Sequence, residues 1–170
     1  MNAIASRALV VVAHPCANSF CGGLAELVVT TLRARRVVDV VAWWPFGAAG
    51  DFSADQPTAV AAADLLVLVY PTWWGGPPAP LKQWLDDELT GDDRAFRGIR
   101  RLVVVTTHGS PHWINRLQGE PGKVIVMRGL RSRCHPLARR TWLALYGLDG
   151  DDPVRRDRFK GRVQGVFLRL

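Results

Sequence analysis

The sequence has few cysteines and no long apolar run. Its three cysteines, Cys16, Cys21 and Cys134, lack metal-ligand spacing, so neither a disulfide framework nor a metal site is expected. No stretch reaches the roughly 18 consecutive apolar residues of a membrane span. The opening residues, 1–7, are too short for a signal peptide. We therefore expect a soluble, cytoplasmic protein with reduced thiols and no membrane insertion.

Acidic residues are scarce in the C-terminal part of the chain. Residues 1–122 contain 10 Lys and Arg against 11 Asp and Glu, whereas residues 123–170 contain 12 against 4. Such asymmetry can attract an anionic partner. The basic residues are spread through structured patterns and match no nucleic-acid recognition motif. We therefore expect no nucleic-acid partner, and favour solvated helix faces with attraction for an anionic dinucleotide.

Apolar runs alternate with amphipathic stretches along the 170 residues, which predicts an α/β fold and one domain, residues 1–170. The predicted strands are Leu9–Ala13, Val37–Ala42, Asp64–Tyr70, Arg101–Thr106 and Thr141–Tyr146. The predicted helices are Ser19–Arg36, Gln56–Ala63, Leu81–Leu89 and Pro153–Leu168, the last capped by Asp151 or Asp152. Pro111–Gly122 is predicted to be a long loop before an amphipathic segment, Lys123–Arg131. This alternation implies a doubly wound parallel sheet with right-handed crossovers.

Three predicted strands end in unusual polar or aromatic loops. These loops are His14–Phe20, Tyr70–Gly76 and Thr106–Ser110. The carboxyl ends of parallel strands meet at one edge of an open sheet, where such folds bind ligands. The first loop also opens a helix, whose N-terminal N–H groups suit a phosphate. The three loops together predict a bound cofactor, with a phosphate at the first loop.

With these loops the chain resembles the flavodoxin-like NAD(P)H:quinone oxidoreductases, which include the DT-diaphorase type and the ancillary flavoproteins of bacterial potassium-efflux systems. The resemblance covers most of residues 8–110. Its segments are Ala13-His14-Pro15 with Asn18-Ser19-Phe20, Tyr70-Pro71-Thr72-Trp73-Trp74-Gly75 with Pro78-Ala79-Pro80-Leu81-Lys82-Gln83-Trp84, and Thr106-Thr107-His108-Gly109. It implies a flavodoxin-like doubly wound, five-stranded parallel sheet of order 2-1-3-4-5, with helices on both faces. It also implies FMN or FAD as cofactor, NAD(P)H as co-substrate and a homodimer.

The matching positions imply which residues hold the flavin. The phosphate end of the flavin is expected to contact His14, Asn18, Ser19, Phe20 and Cys21. The isoalloxazine ring is expected to lie along Pro71, Thr72, Trp73 and Trp74. The polar edge of the ring is expected to contact Thr106, Thr107, His108 and Gly109. Many relatives have Gly-Gly where this chain has His108-Gly109, and the Tyr and His that some place over the substrate have no secure counterpart. The candidates for that role are His112, Trp113 and Asn115. The candidate catalytic proton donors are His108, His112 and bound water.

Several of these residues also have plain structural interpretations. Ser19 can cap the first helix, because a cap and a phosphate ligand use the same geometry. Trp43, Trp44 and Phe46 are expected to pack against other side chains of the protein. Trp84 is predicted to be a core residue from its spacing relative to Leu81 and Leu85. Cys134 is not expected to act as a nucleophile activated by His135, because neighbours in sequence seldom face one another.

The resemblance implies a ping-pong NAD(P)H dehydrogenase that passes two electrons, as a hydride, to a quinone or similar acceptor. Azo or nitro compounds are alternative acceptors for the same site. A flavin-binding regulatory subunit of a membrane transporter is an alternative of another class, and an electron-carrying flavodoxin fits less well because such domains are acidic. Colourless protein with salt-sensitive DNA retention would indicate a nucleic-acid-binding module. The sequence leaves FMN or FAD and NADH or NADPH open, although its C-terminal arginines favour NADPH.

Overall fold

A five-stranded parallel sheet organises the chain. The computed structural model describes residues 7–16, 18–35, 39–43, 60–91, 94–150 and 152–170. Its strands are β1 Arg7–Val12, β2 Asp39–Trp43, β3 Leu65–Thr72, β4 Arg101–His108 and β5 Arg139–Leu145. They lie in the order β2-β1-β3-β4-β5, and each neighbouring pair is parallel. The predicted flavodoxin-like α/β class with a parallel sheet is confirmed.

Helices connect the strands. They are α1 Phe20–Ala34, α2 Ala79–Gly91, α3 His112–Leu117, α4 Pro121–Val124, a π-helical turn Ile125–Leu130, α5 Arg131–Arg133 and α6 Pro153–Phe167. Short 3₁₀ turns cover Ala95–Gly98 and Leu148–Gly150. The carboxylate of Asp152 caps α6 by accepting the N–H of Arg155 at 3.1 Å, as one of the two predicted caps. Half of the predicted helix Gln56–Ala63, namely residues 56–59, lies outside the described residues, as do Trp44, Phe46 and the side chain of Trp43.

The prediction of a long loop over Pro111–Gly122 is wrong. Six of these residues form α3, which is too short to display an apolar period. The Asn115 amide stabilises its start by donating to the carbonyls of Ser110 and Pro111 at 3.1 and 2.9 Å. Pro121 then occupies the first turn of α4, where a missing N–H is harmless. The chain is therefore almost continuously helical from α3 to α5.

The sheet is covered on both faces. One apolar core packs β1, β3, β4 and β5 against α1 and α6, and the other packs the opposite face against α2 and the helical stretch 121–133. Trp84 is buried there against Phe96, with ring centroids 6.2 Å apart, so its predicted core position is confirmed. Each such buried side chain contributes about 1.5–3 kcal/mol. Among the described helices, none is long and apolar enough to cross a membrane.

Candidate cofactor site

The carboxyl ends of β1, β3 and β4 surround a cleft of about 420 Å³, within the ~300–1,000 Å³ of small-molecule sites. Its lining brings together nine of the thirteen residues that sequence reasoning assigned to the cofactor. The lining residues are His14, Phe20, Cys21, Pro71, Thr72, Trp73, Trp74, Thr107, Gly109, Ser110, Leu148 and Asp149. The last three were not foreseen, because Leu148 and Asp149 come from a loop after β5 that carries no recognisable motif.

The first loop ends at the start of α1, beside the cleft. The Ser19 hydroxyl caps this helix by accepting the N–H of Gly22 at 3.1 Å. The first turn of α1 contains no acidic residue, so the positive end of the helix dipole is not neutralised within it. The Nδ1 atom of His14 lies 3.0 Å from both the backbone N and O of Cys16, which fixes the ring in the loop. This end of the cleft suits a phosphate.

A tight turn after β3 carries the two tryptophans. The backbones of Trp73 and Gly76 exchange two hydrogen bonds of 3.0 Å, while Trp74 and Gly75 adopt left-handed backbone angles, with φ of 50° and 79°. The Gly122 N–H donates to the Gly75 carbonyl at 2.8 Å. A Cβ atom on Gly122 would lie 2.7 Å from that oxygen. The start of α4 therefore rests directly on the tryptophan turn.

The pleat of β3 and β4 separates residues that the sequence grouped together. Thr107 lines the cleft, and its hydroxyl lies 3.5 Å from the Cys21 sulfur. Thr106 and His108 are buried and belong to the opposite side of β4, because side chains alternate along a strand. Among the described residues, the cleft lining thus includes neither these two nor Asn18 and Ser19.

Thr72, Thr106, His108 and Asn115 form what we call the buried polar network. The Asn115 amide nitrogen donates to two carbonyls, so its oxygen accepts the Nδ1–H of His108 at 2.7 Å. The other ring nitrogen, Nε2, is then free of a proton and accepts the Thr72 hydroxyl at 3.3 Å. The Thr72 oxygen in turn accepts from Thr106 at 2.8 Å. The network therefore fixes one neutral tautomer of His108.

Burial lowers the pKa of His108 below 6.5, and the hydrogen bond with Asn115 only partly opposes this shift. The imidazole is therefore mainly neutral at pH 7. With both nitrogens engaged, it cannot deliver a proton directly into the cleft.

Tyr146, which sequence reasoning missed, links this network to the surface. Its ring lies 4.4 Å from the ring of His108 and 4.5 Å from that of His112. Its hydroxyl donates to Glu120 at 2.5 Å, and Glu120 also pairs with Lys123 at 2.9 Å. Burial and the neighbouring Glu120 raise the pKa of Tyr146 to about 12. Although burial alone raises the pKa of Glu120, the hydrogen bonds from Tyr146 and Lys123 bring it below its ordinary value.

A larger groove of about 1070 Å³ adjoins the cleft and shares Gly109, Ser110 and Asp149 with it. Its lining includes the end of β5, the exposed His112, and three arginines of α6, namely Arg155, Arg158 and Arg162. His112 therefore faces the groove and not the cleft. At the boundary, a Cβ atom on Gly109 would lie 2.5 Å from the Asp149 carboxylate, so a larger residue here would displace that side chain.

The three cysteines are free thiols. Burial raises the pKa of Cys21 and of Cys134 to about 11, so both are protonated at neutral pH. Cys134 donates to the Leu130 carbonyl at 3.4 Å. Neither thiol is poised as a nucleophile.

Known proteins share this architecture. A comparison with curated protein sequences yields no match. Among solved structures, the NAD(P)H:quinone oxidoreductase from Methanothermobacter marburgensis has a TM-score of 0.77 at 20% identity, covering 96% of each chain. Smu.1420 from Streptococcus mutans has a TM-score of 0.78 at 18% identity, covering 96% of this chain and all of its own. The FMN-dependent NADH-azoreductase from Bacillus anthracis, in complex with FMN, has a TM-score of 0.72 at 11% identity, covering 96% and 98%.

These structural likenesses, at low identity, concern the fold. The family itself is identified by sequence, because a family model for the flavodoxin-like fold matches residues 6–129, most of the chain. The chain belongs to this family of flavodoxin-like proteins.

Proposed function

We propose that this protein is a flavin-dependent NAD(P)H oxidoreductase that reduces a quinone or similar acceptor by two electrons. The observation that carries the proposal is the meeting of His14, Trp73 and Thr107, from three separate loops, around one cleft at the switch edge of the sheet. Three structural neighbours bear the names NAD(P)H:quinone oxidoreductase, quinone reductase and NADPH-quinone reductase. They support the same chemistry here.

The residues of the cleft fit FMN. Pro71 and Trp73 offer an apolar wall for a planar ring. The Thr107 hydroxyl offers a polar group at the end of the neighbouring strand, β4. The start of α1, with Ser19 as its cap, offers N–H groups and a positive dipole end for the phosphate. Gly109 keeps the rim open. We therefore assign these residues to cofactor binding, together with His14, Asn18, Phe20, Cys21, Thr72 and Trp74.

A bound flavin would supply two-electron chemistry by accepting hydride from NAD(P)H and donating it to the acceptor. The protein orients the ring and places hydrogen-bond donors at its polar edge. We assign His108 a positioning role, because its neutral ring holds the Thr72 hydroxyl in place through the network. His112, exposed beside the shared rim, and water remain the candidate proton donors. A single open cleft for both co-substrates agrees with a ping-pong order.

Azo compounds are the second candidate acceptors. This alternative is favoured by three neighbours named as azoreductases, one of them FMN-dependent and NADH-using. The same cleft and cofactor serve either acceptor, so the two functions differ only in which planar molecule meets the tryptophan turn.

We also propose a homodimer. Large apolar side chains are exposed on the tryptophan turn and on α3, which begins just after the rim residue Ser110, with Trp74 fully exposed, Trp113 at 67% and Leu117 at 83%. Clusters of this kind mark interaction surfaces in proteins that are otherwise polar outside. A second copy placed there would cover them and enclose the acceptor side of the cleft. Sedimentation velocity of the flavin-loaded protein would show a dimer, and Trp113→Lys should shift it to a monomer.

A single domain is part of the proposal, and so is a cytoplasmic location, which remains a prediction from sequence. In support of one domain, β5 and α6 lie beyond the family match yet join the main sheet and the core around α1. Unfolding followed by two probes should give one coincident transition.

The decisive experiment is a spectrum of the protein as purified, followed by mass analysis of the released cofactor and anaerobic mixing with NADH and NADPH. We expect a yellow protein that is bleached by the nicotinamide nucleotide and recovers its colour on adding a quinone. If the flavin stays oxidised with both nucleotides, the protein is not such a reductase. Parallel assays with quinone and azo acceptors separate the two candidate functions.

A further inference from the structure

The groove beside the cleft contains a row of arginines on one face of α6. We call it the arginine groove, after Arg155, Arg158 and Arg162. Their spacing of three and four residues places them on neighbouring turns of the same helix face. They are all exposed, and only one carboxylate, Asp149, is among the residues that line the groove.

Two of the three guanidinium groups have no protein partner within the described part of the chain. Arg155 donates to the Tyr146 carbonyl at 2.8 Å, which anchors it to the end of β5. Arg158 and Arg162 make no hydrogen bond or ion pair with any residue that the structure describes. The guanidinium groups of Arg158 and Arg162 are therefore suited to bind a doubly charged oxyanion in this concave surface. Guanidinium groups bind phosphate oxygens through two parallel hydrogen bonds.

The position of the groove limits which anion reaches it. It is continuous with the cleft across Gly109, Ser110 and Asp149. Under the proposed function, the nicotinamide ring must enter the cleft, so the remainder of that extended molecule has to leave the cleft across a rim. The shared rim leads to the arginines.

We propose that the arginine groove binds the 2′-phosphate of NADPH and makes the protein prefer NADPH to NADH. The inference rests on the proposed function and names its hydride donor. NADH presents a hydroxyl at this point and leaves Arg158 and Arg162 without a counter-charge. Because hydrogen bonds between guanidinium groups and a phosphate are charge-assisted, we expect NADPH to be preferred by about tenfold to about 100-fold.

The test measures binding, without turnover. Isothermal titration of the purified protein with 2′,5′-ADP and with 5′-AMP compares one adenosine with and without the 2′-phosphate. We expect 2′,5′-ADP to bind at least about tenfold more tightly. The double variant Arg158→Gln/Arg162→Gln should erase this difference by lowering the affinity for 2′,5′-ADP to that for 5′-AMP.

A matched control is Arg97→Gln/Arg133→Gln, which removes the same charge from two exposed arginines outside the groove. It should keep the preference for 2′,5′-ADP. Equal affinities for the two adenosine phosphates, or an equal loss of preference in both double variants, would overturn the inference.

Failure of this inference can be told apart from failure of the proposed function. If NADH and NADPH bleach the flavin equally and 2′,5′-ADP shows no advantage, the oxidoreductase stands and the groove is not a phosphate site. If neither nucleotide reduces the flavin while 2′,5′-ADP still binds through Arg158 and Arg162, the groove is a phosphate site and the proposed reductase is wrong.

Discussion

The two sides of the same strand ends have opposite characters. On one side, Pro71 and Thr107 are paired across β3 and β4 and face an open cleft. On the other, the next pair, Thr72 and His108, joins the buried polar network. Thr72 also lines the cleft, so the two roles meet in one residue on β3. On β4, a step of one residue separates Thr107, which lines the cleft, from His108, which holds the strand end in place. The following predictions test whether these two roles are separate.

The largest expected effect is the loss of flavin from Ser19→Asp. Aspartate caps a helix as well as serine does, so α1 should stay intact while the new charge repels the cofactor phosphate. We expect flavin affinity to fall by about 100-fold, measured as flavin per protein after dialysis. Ser19→Asn is the matched neutral cap and should retain flavin. Full flavin content in Ser19→Asp would show that the cofactor phosphate does not bind at this end of the cleft.

Removing the imidazole of the network should lower mainly the stability of the protein, with a smaller loss of flavin affinity through Thr72. His108→Ala leaves the Asn115 oxygen without a donor and opens a cavity beside Tyr146, so we expect the free energy of unfolding to fall by about 2–3 kcal/mol. The measurement is urea denaturation of the protein stripped of flavin. Thr107→Val is the control on the cleft side and should change flavin affinity with little change in stability. The reverse pattern would show that our division of the strand ends is wrong.

Crowding the rim should weaken flavin binding by a smaller amount. In Gly109→Ala the new methyl group displaces the Asp149 carboxylate. Because this carboxylate ends an exposed side chain that can move aside, we expect the affinity for FMN to fall by only about threefold, or ~0.7 kcal/mol. The second substitution Asp149→Ala removes the clash. Fluorescence titration with FMN should therefore show recovery in the double variant, and an additive loss would mean that the two residues act independently.

The smallest expected effect is the pH dependence of the free energy of unfolding that results from the titration of His108. Because burial lowers its pKa in the folded state below 6.5, the unfolded chain takes up the proton first as the pH falls. The free energy of unfolding should therefore decrease below pH 6.5, with a slope of at most about 1.4 kcal/mol per pH unit, and level off below the folded pKa. Urea denaturation from about pH 7.5 to about pH 5 should show a shallower decrease for His108→Gln. Identical slopes would contradict a neutral, buried imidazole.

Long periodic elements were predictable from sequence, and so was the convergence of the loops. The uniformly apolar run 65–70 predicted a central strand, and all six of its residues are buried in β3. Loop motifs at three strand ends placed nine lining residues in one cleft because parallel strands share an edge. The same motifs did not show which members of Thr106–Gly109 face the ligand, since the strand continues to His108 and its pleat sends alternate side chains to opposite sides.

Tertiary partners were the part that the sequence could not supply. Tyr146, Glu120 and Asn115 lie in segments without a motif, and only the fold stacks the first of them on His108. Helix α3 was missed for a related reason. A six-residue helix has too little length for a period, and side-chain hydrogen bonds from Asn115 stabilise it.

The contact between Gly122 and Gly75 bears on the range of acceptors. Since α4 touches the backbone of the tryptophan turn, an acceptor that pushes Trp73 aside must also move a helix. Within one subunit, the adaptable part of the wall is then Trp74, whose side chain is fully exposed there. Tolerance for acceptors of different shape should accordingly come from rotation of the Trp74 side chain, while the backbone of the tryptophan turn stays in place.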